Sequence, residues 1–400
     1  MMTKKSESRN AVSSTPRTFS WKYFINYIVV AVVAVVLTAL SFAGVLPQSI
    51  LFLLEKVVIN IILALSLSLV VGFLGELSLG HAGFMCIGAY FGGFVSVMLS
   101  KFTSLEGEGI VSFVIALVVG AVFSGVFGFL VGLPALRLKG DYLAIVTLAF
   151  GEIVKTVFEN ITVTIDGKKI VQGPMGMRTP RIDEQYLFVI GFVLVLATMA
   201  IIQNLIRSKH GRAITAIRDN EIAAKATGIN VTKYKLVGFV VSAAFAGIAG
   251  VVYNFANFTV SAGIFDYNYS IEILVMVVLG SMASVNGVII SATVITYLNI
   301  QLQTILVGDL AVLKDIIYSL ILILIIIYNN APALKNVREK YNAKRIIDGI
   351  RAKMFPKSNS YADDDDAWSR VPTKIEMNEV LSADIVINES TRNPDKEEEE

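Results

Sequence analysis

Cysteine and histidine are nearly missing from this chain of 400 residues: Cys86 is its one thiol, and His81 and His210 are its two imidazoles. A single thiol cannot close an internal disulfide or build a cysteine-based metal site, and two histidines argue against a zinc cluster. Charge is scarce too. Asp, Glu, Lys and Arg make up 16% of the residues against 55% hydrophobic ones, where a soluble domain carries roughly a quarter charged. A G-x-x-x-x-G-K-[ST] phosphate loop is absent, as is any Ser/His/Asp grouping with a case for catalysis. These absences leave no catalytic residue, resident metal or cofactor to assign. A net charge of +2 gives no electrostatic signature of a nucleic-acid partner.

What is present is apolar sequence in membrane-length runs. About ten segments satisfy a spanning criterion: 24–44, 50–74, 83–100, 110–133, 141–158, 186–206, 236–258, 270–283, 288–307 and 312–329. The chain therefore reads as an all-α, polytopic helical membrane protein. The eighth segment is short, and reads either as a span or as a half-helix entering the bilayer beside the ninth. The first segment reads as a helix that stays in the membrane and not as a cleaved signal peptide. Basic residues cluster at the N-terminus, at Arg137 and Lys139, in the stretch 208–236 and in 335–357. With ten crossings all of these fall on one side, which the positive-inside rule makes cytoplasmic together with both termini. The sequence divides into a basic N-terminus (1–23), a membrane domain (24–330) and a polar tail (331–400). The tail carries Asp363–Asp366 and Glu397–Glu400, and reads as largely disordered because it cannot bury enough apolar surface to offset its chain entropy. Its basic stretch at 335–354 suits a membrane-lipid surface.

Three stretches carry possible chemistry. The first, 208–236 (SKHGRAITAIRDNEIAAKATGINVTKYKL), is a polar island between apolar runs. Ala213, Ile214, Ile217, Ala224 and their neighbours form one apolar face, with Arg212, Arg218 and Asp219 mostly elsewhere, so an amphipathic helix ending near Gly228 is expected. The second, 72–93 (GFLGELSLGHAGFMCIGAYFGG), is glycine-dense. It reads as a discontinuous helix lining a path; its Glu76 and His81 belong either to that path or to packing at an aqueous edge. The third is a set of isolated carboxylates. Glu152 falls near mid-membrane, with Lys155 one turn on, and either pairs internally or lines the conduit. Glu272 opens the short eighth segment, where the helix dipole alone would favour it or where it marks the outer mouth of a path. Glu55 and Lys56 read as interfacial. The connection 159–185, with GPMGM at 173–177, reads as an external loop.

LGHAGFMCIGAY, LPALRLKGDYLAIVTLAFGEIVK, GPMGM, the polar island and SIEILVMVVLGSMASVNG occur in this order. Together they resemble the permease subunits of branched-chain amino-acid ABC importers, of LivM type, over roughly residues 25–330. The resemblance implies an ABC importer permease fold in the bacterial inner membrane. It also implies a second homologous permease (LivH-type), two cytoplasmic ABC ATPase subunits and an external substrate-binding protein as partners. It places the ATPase-coupling residues in the island: Gly211, Arg212, Arg218, Asp219, Glu221, Ala223, Ala224 and Gly228. The family's Glu-Ala-Ala…Gly pattern is kept at Ala223, Ala224 and Gly228, but Ile222 stands where the Glu would be and Glu221 lies one residue earlier. The chain would then supply a path and a lever, with ATP hydrolysis in partner chains. Its alternative cargo would be another small solute of the same superfamily, such as urea, ribose or a nucleoside. A stand-alone secondary transporter, with Glu152 as the coupling carboxylate, is the reading from a different class.

Overall fold

A computed structural model describes residues 22–102, 109–138, 140–165, 167–179, 184–257, 259–282 and 284–305, with scattered positions between 316 and 327. The expectations for the tail 331–400, for residues 1–21, for Lys139 and for most of the tenth segment lie outside these residues. Nine of the expected apolar segments are helices: α1 (Lys22–Phe42), α2 (Gln48–Ser68), α3 (His81–Phe102), α4 (Ile110–Ala135), α5 (Asp141–Asn160), α6 (Glu184–Arg207), α9 (Val231–Ala256), α10 (Tyr267–Leu279) and α11 (Val285–Ile305). Between α6 and α9 lie two short helices, α7 (Lys209–Asp219) and α8 (Glu221–Ala226). Among the described residues, six helical stretches are long and apolar enough to cross a membrane.

α2 is the axis of the molecule. Its residues from Val57 to Leu74 are buried on every side, as expected of a helix that is apolar all round. It packs against α6, α9, α10 and α11. α4, by contrast, turns Val111, Val114, Val118, Val122 and Val126 outward. It keeps small residues inward at every fourth position: Ala116, Gly120, Ser124, Gly128 and Gly132. This stripe lets α4 lie close on α3 and α9. The three helices come nearest around Gly88 and Gly247, where a Cβ built on Gly88 would stand 2.2 Å from the Gly247 carbonyl oxygen. Ser124 Oγ completes the contact by donating to the Phe84 carbonyl at 2.6 Å.

The connection after α5 is not a plain loop. It forms β1 (Thr162–Ile165), β2 (Lys168–Gln172) and β3 (Met177–Arg178), and β4 (Thr259–Val260) joins them after α9 in a four-stranded antiparallel sheet. The all-α expectation is corrected to that extent. The physical reason is local: β-branched TVTI and KIV flank Asp-Gly, with Ile165 and Lys168 paired across it, a two-residue hairpin. Gly176 (φ 78°) lies against the Val260 backbone, where a Cβ would meet the carbonyl oxygen at 2.1 Å. The GPMGM turn is thereby fastened to β4, just beyond α9.

α2 does not end cleanly. Residues Leu69–Leu74 widen into a π-helical turn, and 75–80 run as irregular backbone before α3 begins at His81. This is the broken helix that the glycines suggest. α10 is short at 13 residues, about 20 Å of helix. Its start lies beside Asn60 and Glu152, near the middles of α2 and α5, through Tyr269 and Tyr267 respectively. Its far end, the turn at Gly280–Ser284, backs onto Gly72 of the π turn.

Candidate functional site

The island between α6 and α9 folds as two helices instead of one. Asn220 sits in extended backbone (φ −159°, ψ 104°), and its side chain accepts from Ile222 N and Ala223 N, both at 3.0 Å. An Asn in this role ends α7 and caps α8 at once. Ser208 caps α7 in the same way by accepting from His210 N and Gly211 N. Gly211 is required there, since a Cβ would stand 2.0 Å from the Ile206 carbonyl oxygen. Gly228 adopts φ 82° with open space around it, so glycine is held there by conformation and not by packing. Ile217, Ala224 and Val231 form a small core under the two helices. Arg212 and Ala223 are exposed, and Ile222 is 80% exposed.

The island is fastened to the broken segment after α2. Arg218 donates from Nη1 to the Gly72 carbonyl at 3.0 Å, and its guanidinium also pairs with Asp219 at 3.1 Å. Its stem crosses Gly75, where a Cβ would come within 2.7 Å of Cγ. Lys235, in the first turns of α9, pairs with Glu76 and, at 3.2 Å, with Glu221, which in turn takes Lys225 at 2.7 Å. Glu76 therefore lies against the island. The Glu221 carboxyl is pulled down to about 2, first by the Lys225 hydrogen bond, then, against the opposing effect of burial, by Lys235. A carboxyl depressed in this way contributes stability that is complete above its ordinary 4.5 and is lost as pH falls toward about 2. The melting-temperature gap between wild type and Glu221→Gln should accordingly be widest near neutral pH and close in acid. A gap that does not vary with pH would contradict the pairing.

A second polar group surrounds the start of α10. Glu152 accepts from Tyr267 N at 2.8 Å while Lys155 donates to its other oxygen at 3.2 Å. It thus binds the first turn of α10. Nearby lies a cavity of about 300 Å³ between α2, α9, α10 and α11. On its wall Tyr269 donates to Asn60 Oδ1, Asn60 donates to Thr296 Oγ1, and Asn299 donates to Glu272 Oε1 at 2.7 Å. Lys56 reaches into the same cavity with its ammonium 4.0 Å from the Tyr253 ring centroid. Glu55, read from the sequence as interfacial together with Lys56, is buried, and Lys56 lines the cavity, although the first turn of α2 before them is exposed. His81 is buried elsewhere, hydrogen-bonded through Nε2 to Ser66 at 2.7 Å. Because the Ser66 hydroxyl donates to the Leu63 carbonyl, it accepts from the imidazole, which fixes the proton on Nε2.

The structure thus joins Glu76 to the island residues Arg218, Asp219 and Glu221, and Glu272 to the cavity. Glu152 and His81 stand apart from both. Sequence reading passed over Lys235, Asn60, Tyr269 and Asn299; a lysine in the first turns of a spanning helix is the one clear signal among them.

Residues 49–326 match the family model described as branched-chain amino acid transport system / permease component. The chain is 36% identical over 263 residues to the high-affinity branched-chain amino acid transport system permease protein LivM of Salmonella typhimurium, covering 59% of this chain and 60% of that protein. It is equally identical (36%) over 260 residues to LivM of Escherichia coli, covering 58% and 59%. It is 26% identical to a probable branched-chain amino acid transport permease protein LivM of Methanocaldococcus jannaschii, covering 57% and 73%. The chain therefore spans about three fifths of the length of the two bacterial relatives. No solved structure matches it.

Proposed function

This chain belongs to the family of branched-chain amino-acid transport system permease components, and from that membership we propose that it is the path-forming subunit of an ATP-driven importer of leucine, isoleucine and valine. The observation that carries the mechanism is the tie between the island and the broken α2 segment. Arg218 and Lys235 grip Gly72 and Glu76 from α7 and α9, so a push on α7 and α8 reaches α2 directly. From α2 it passes to the turn at Gly280–Ser284, which backs onto Gly72, and so to α10. In this reading a cytoplasmic ATPase grips the exposed tip at Ile222, Ala223 and Gly228, and nucleotide-driven closure tilts α6 and α9. The departure at Ile222 then has a physical account. The carboxylate of the family pattern, one position early at Glu221, is turned inward to Lys235 and Lys225, and an apolar side chain faces the partner.

The partners in this reading are a homologous second permease, two ATPase chains and an external substrate-binding protein. The outward apolar faces of α1, α4 and α11 meet lipid or the second permease. The island side is cytoplasmic and the small sheet external.

Affinity purification of the tagged chain in mild detergent, followed by mass spectrometry, tests the assembly. A homologous permease together with ATPases bearing a phosphate loop is the expected result; a stable single-chain species would count against it. Leucine uptake that survives deletion of those ATPases would refute ATP coupling. Uptake of urea, ribose or a nucleoside in place of leucine would move the chain to another cargo. Ile222→Asp alters a side chain in solvent, so expression should be unchanged while ATPase co-purification falls about tenfold, as for loss of an apolar contact at an interface core. Gly228→Val should uncouple uptake by straining the αL turn.

A further inference from the structure

The amides that line the cavity between α2, α9, α10 and α11 are paired within its own wall. Asn60 donates to Thr296 and accepts from Tyr269. Asn299 donates to Glu272 and accepts from Gln303 at 3.2 Å. Two donors in the wall are not paired in this way. The Lys56 ammonium lies 4.0 Å from the Tyr253 ring centroid and 5.3 Å from that of Phe52. Among the described residues it meets these rings but neither a hydrogen-bond acceptor nor an ion-pairing carboxylate. Ring faces stabilise a cation yet accept none of its three N–H hydrogens as a carboxylate would. The Tyr253 hydroxyl, in the same wall, donates to no described residue. A cation and a hydroxyl without acceptors call for a ligand group that accepts hydrogen bonds and carries negative charge. Glu272, already engaged, is assigned no ligand contact. Phe52, Ile264 and Ile300 supply an apolar side. A volume of about 300 Å³ lies at the small end of ligand pockets and admits one small molecule.

We propose that this cavity is a site for the carboxylate of a small aliphatic acid, with Lys56 and Tyr253 as its donors and the carbon chain against Phe52, Ile264 and Ile300. The site reads the carboxylate and not an α-ammonium. A 2-oxo acid should therefore bind at least as tightly as the amino acid of the same chain, because an α-ammonium would stand close to the Lys56 charge. Selection for the ammonium then falls to a partner chain. The choice of a branched chain rests on the importer reading above; the preference for a carboxylate rests on Lys56 and Tyr253.

The test is equilibrium binding of radiolabelled 4-methyl-2-oxopentanoate, up to millimolar concentration, to the full chain in lipid nanodiscs. Leucine and 4-methylpentanoate should displace it, and leucinamide, which lacks the carboxylate, should not. Lys56→Met should weaken binding by about tenfold to hundredfold, the loss of one charge-assisted contact. Lys56→Arg keeps the charge and should retain most of the binding. Tyr253→Phe keeps the ring under the ammonium and removes only the hydroxyl, so a loss of about threefold to tenfold is expected. Equal losses in Lys56→Met and Lys56→Arg would mark a lysine that merely holds the fold, and that outcome overturns the proposal. So does displacement by leucinamide as effective as by leucine, or an absence of oxo-acid binding to folded wild type. Leucine import by the chain reconstituted with its permease, ATPase and binding-protein partners is measured in parallel. Import accompanied by any of these failures would refute the site alone, and charge-dependent binding of the acids without import would refute the importer reading alone.

Discussion

Lys235→Met should remove most of the proposed leucine import and lower the stability of the purified chain by about 3–5 kcal/mol, the usual effect of stripping one partner from a buried ion pair. The Lys235 side chain is 5% exposed, and its partners Glu76 and Glu221 are 12% and 24% exposed. Without the ammonium, two carboxylates face each other across the junction of the island and the broken α2 segment. Like charges in a poorly solvated site repel strongly. The remedy identifies the cause. Adding Glu76→Gln to Lys235→Met should restore a large part of the stability, since one buried charge is then left in place of two, with Lys225 beside it at 2.7 Å from Glu221. Import should recover less than stability, because the neutral pair no longer ties α9 to the segment before α3. Thermal unfolding in detergent gives the first quantity and uptake into reconstituted vesicles the second. Equal melting temperatures for wild type and Lys235→Met would show that the triad is solvated and mechanically idle.

Gly88→Ala should empty the membrane of folded chain, although it adds one methyl group. The new Cβ would lie 2.2 Å from the Gly247 carbonyl oxygen and 2.3 Å from its Cα. These are backbone atoms of the neighbouring helix and cannot swing aside. Relief requires α3 and α9 to separate. That would also disturb α4, since Gly120 approaches the Gly88 carbonyl and Ser124 bonds to Phe84. The cost should exceed the ~1–3 kcal/mol of ordinary overpacking. Gly125→Ala is the matched control on α4. Its Cβ would meet only Ala244 Cβ at 3.7 Å and Val240 Cγ1 at 3.8 Å, ordinary contact, and accumulation should stay near wild type. Fluorescence size-exclusion profiles of the two tagged variants decide the matter, and comparable peaks would contradict this packing.

The expected failure of Gly88→Ala also marks where sequence reading stops. That residues 72–93 are rich in glycine is plain in the sequence, and so is the inference that helices crowd there or break. Which glycines meet backbone, and which merely occupy a helix, depends on how α3, α4 and α9 are rotated about their axes. The four-residue stripe from Ala116 to Gly132 was a readable hint of that rotation. The Asp-Gly hairpin between TVTI and KKIVQ was equally readable, because turn chemistry is local. The break at Asn220 was legible in kind, since Asn before a carboxylate-led helical turn is a cap signal.

The sequence alone determined the class of the protein, the approximate positions of nine apolar helices and the polar island. Each of these follows from local composition and periodicity, which the bilayer rewards residue by residue. Tertiary structure decided what the charged residues do. Glu76 and Glu272 look alike in the sequence, as isolated carboxylates beside apolar runs. One is claimed by Lys235 from α9, and the other opens onto a cavity with Lys56 from α2. Lys235 stands 159 positions from Glu76, and Lys56 reaches the wall beside Glu272 from more than 200 positions away along the chain. The energy of a buried charge is set by the few ångströms around it, and helix packing alone determines which distant residues occupy them.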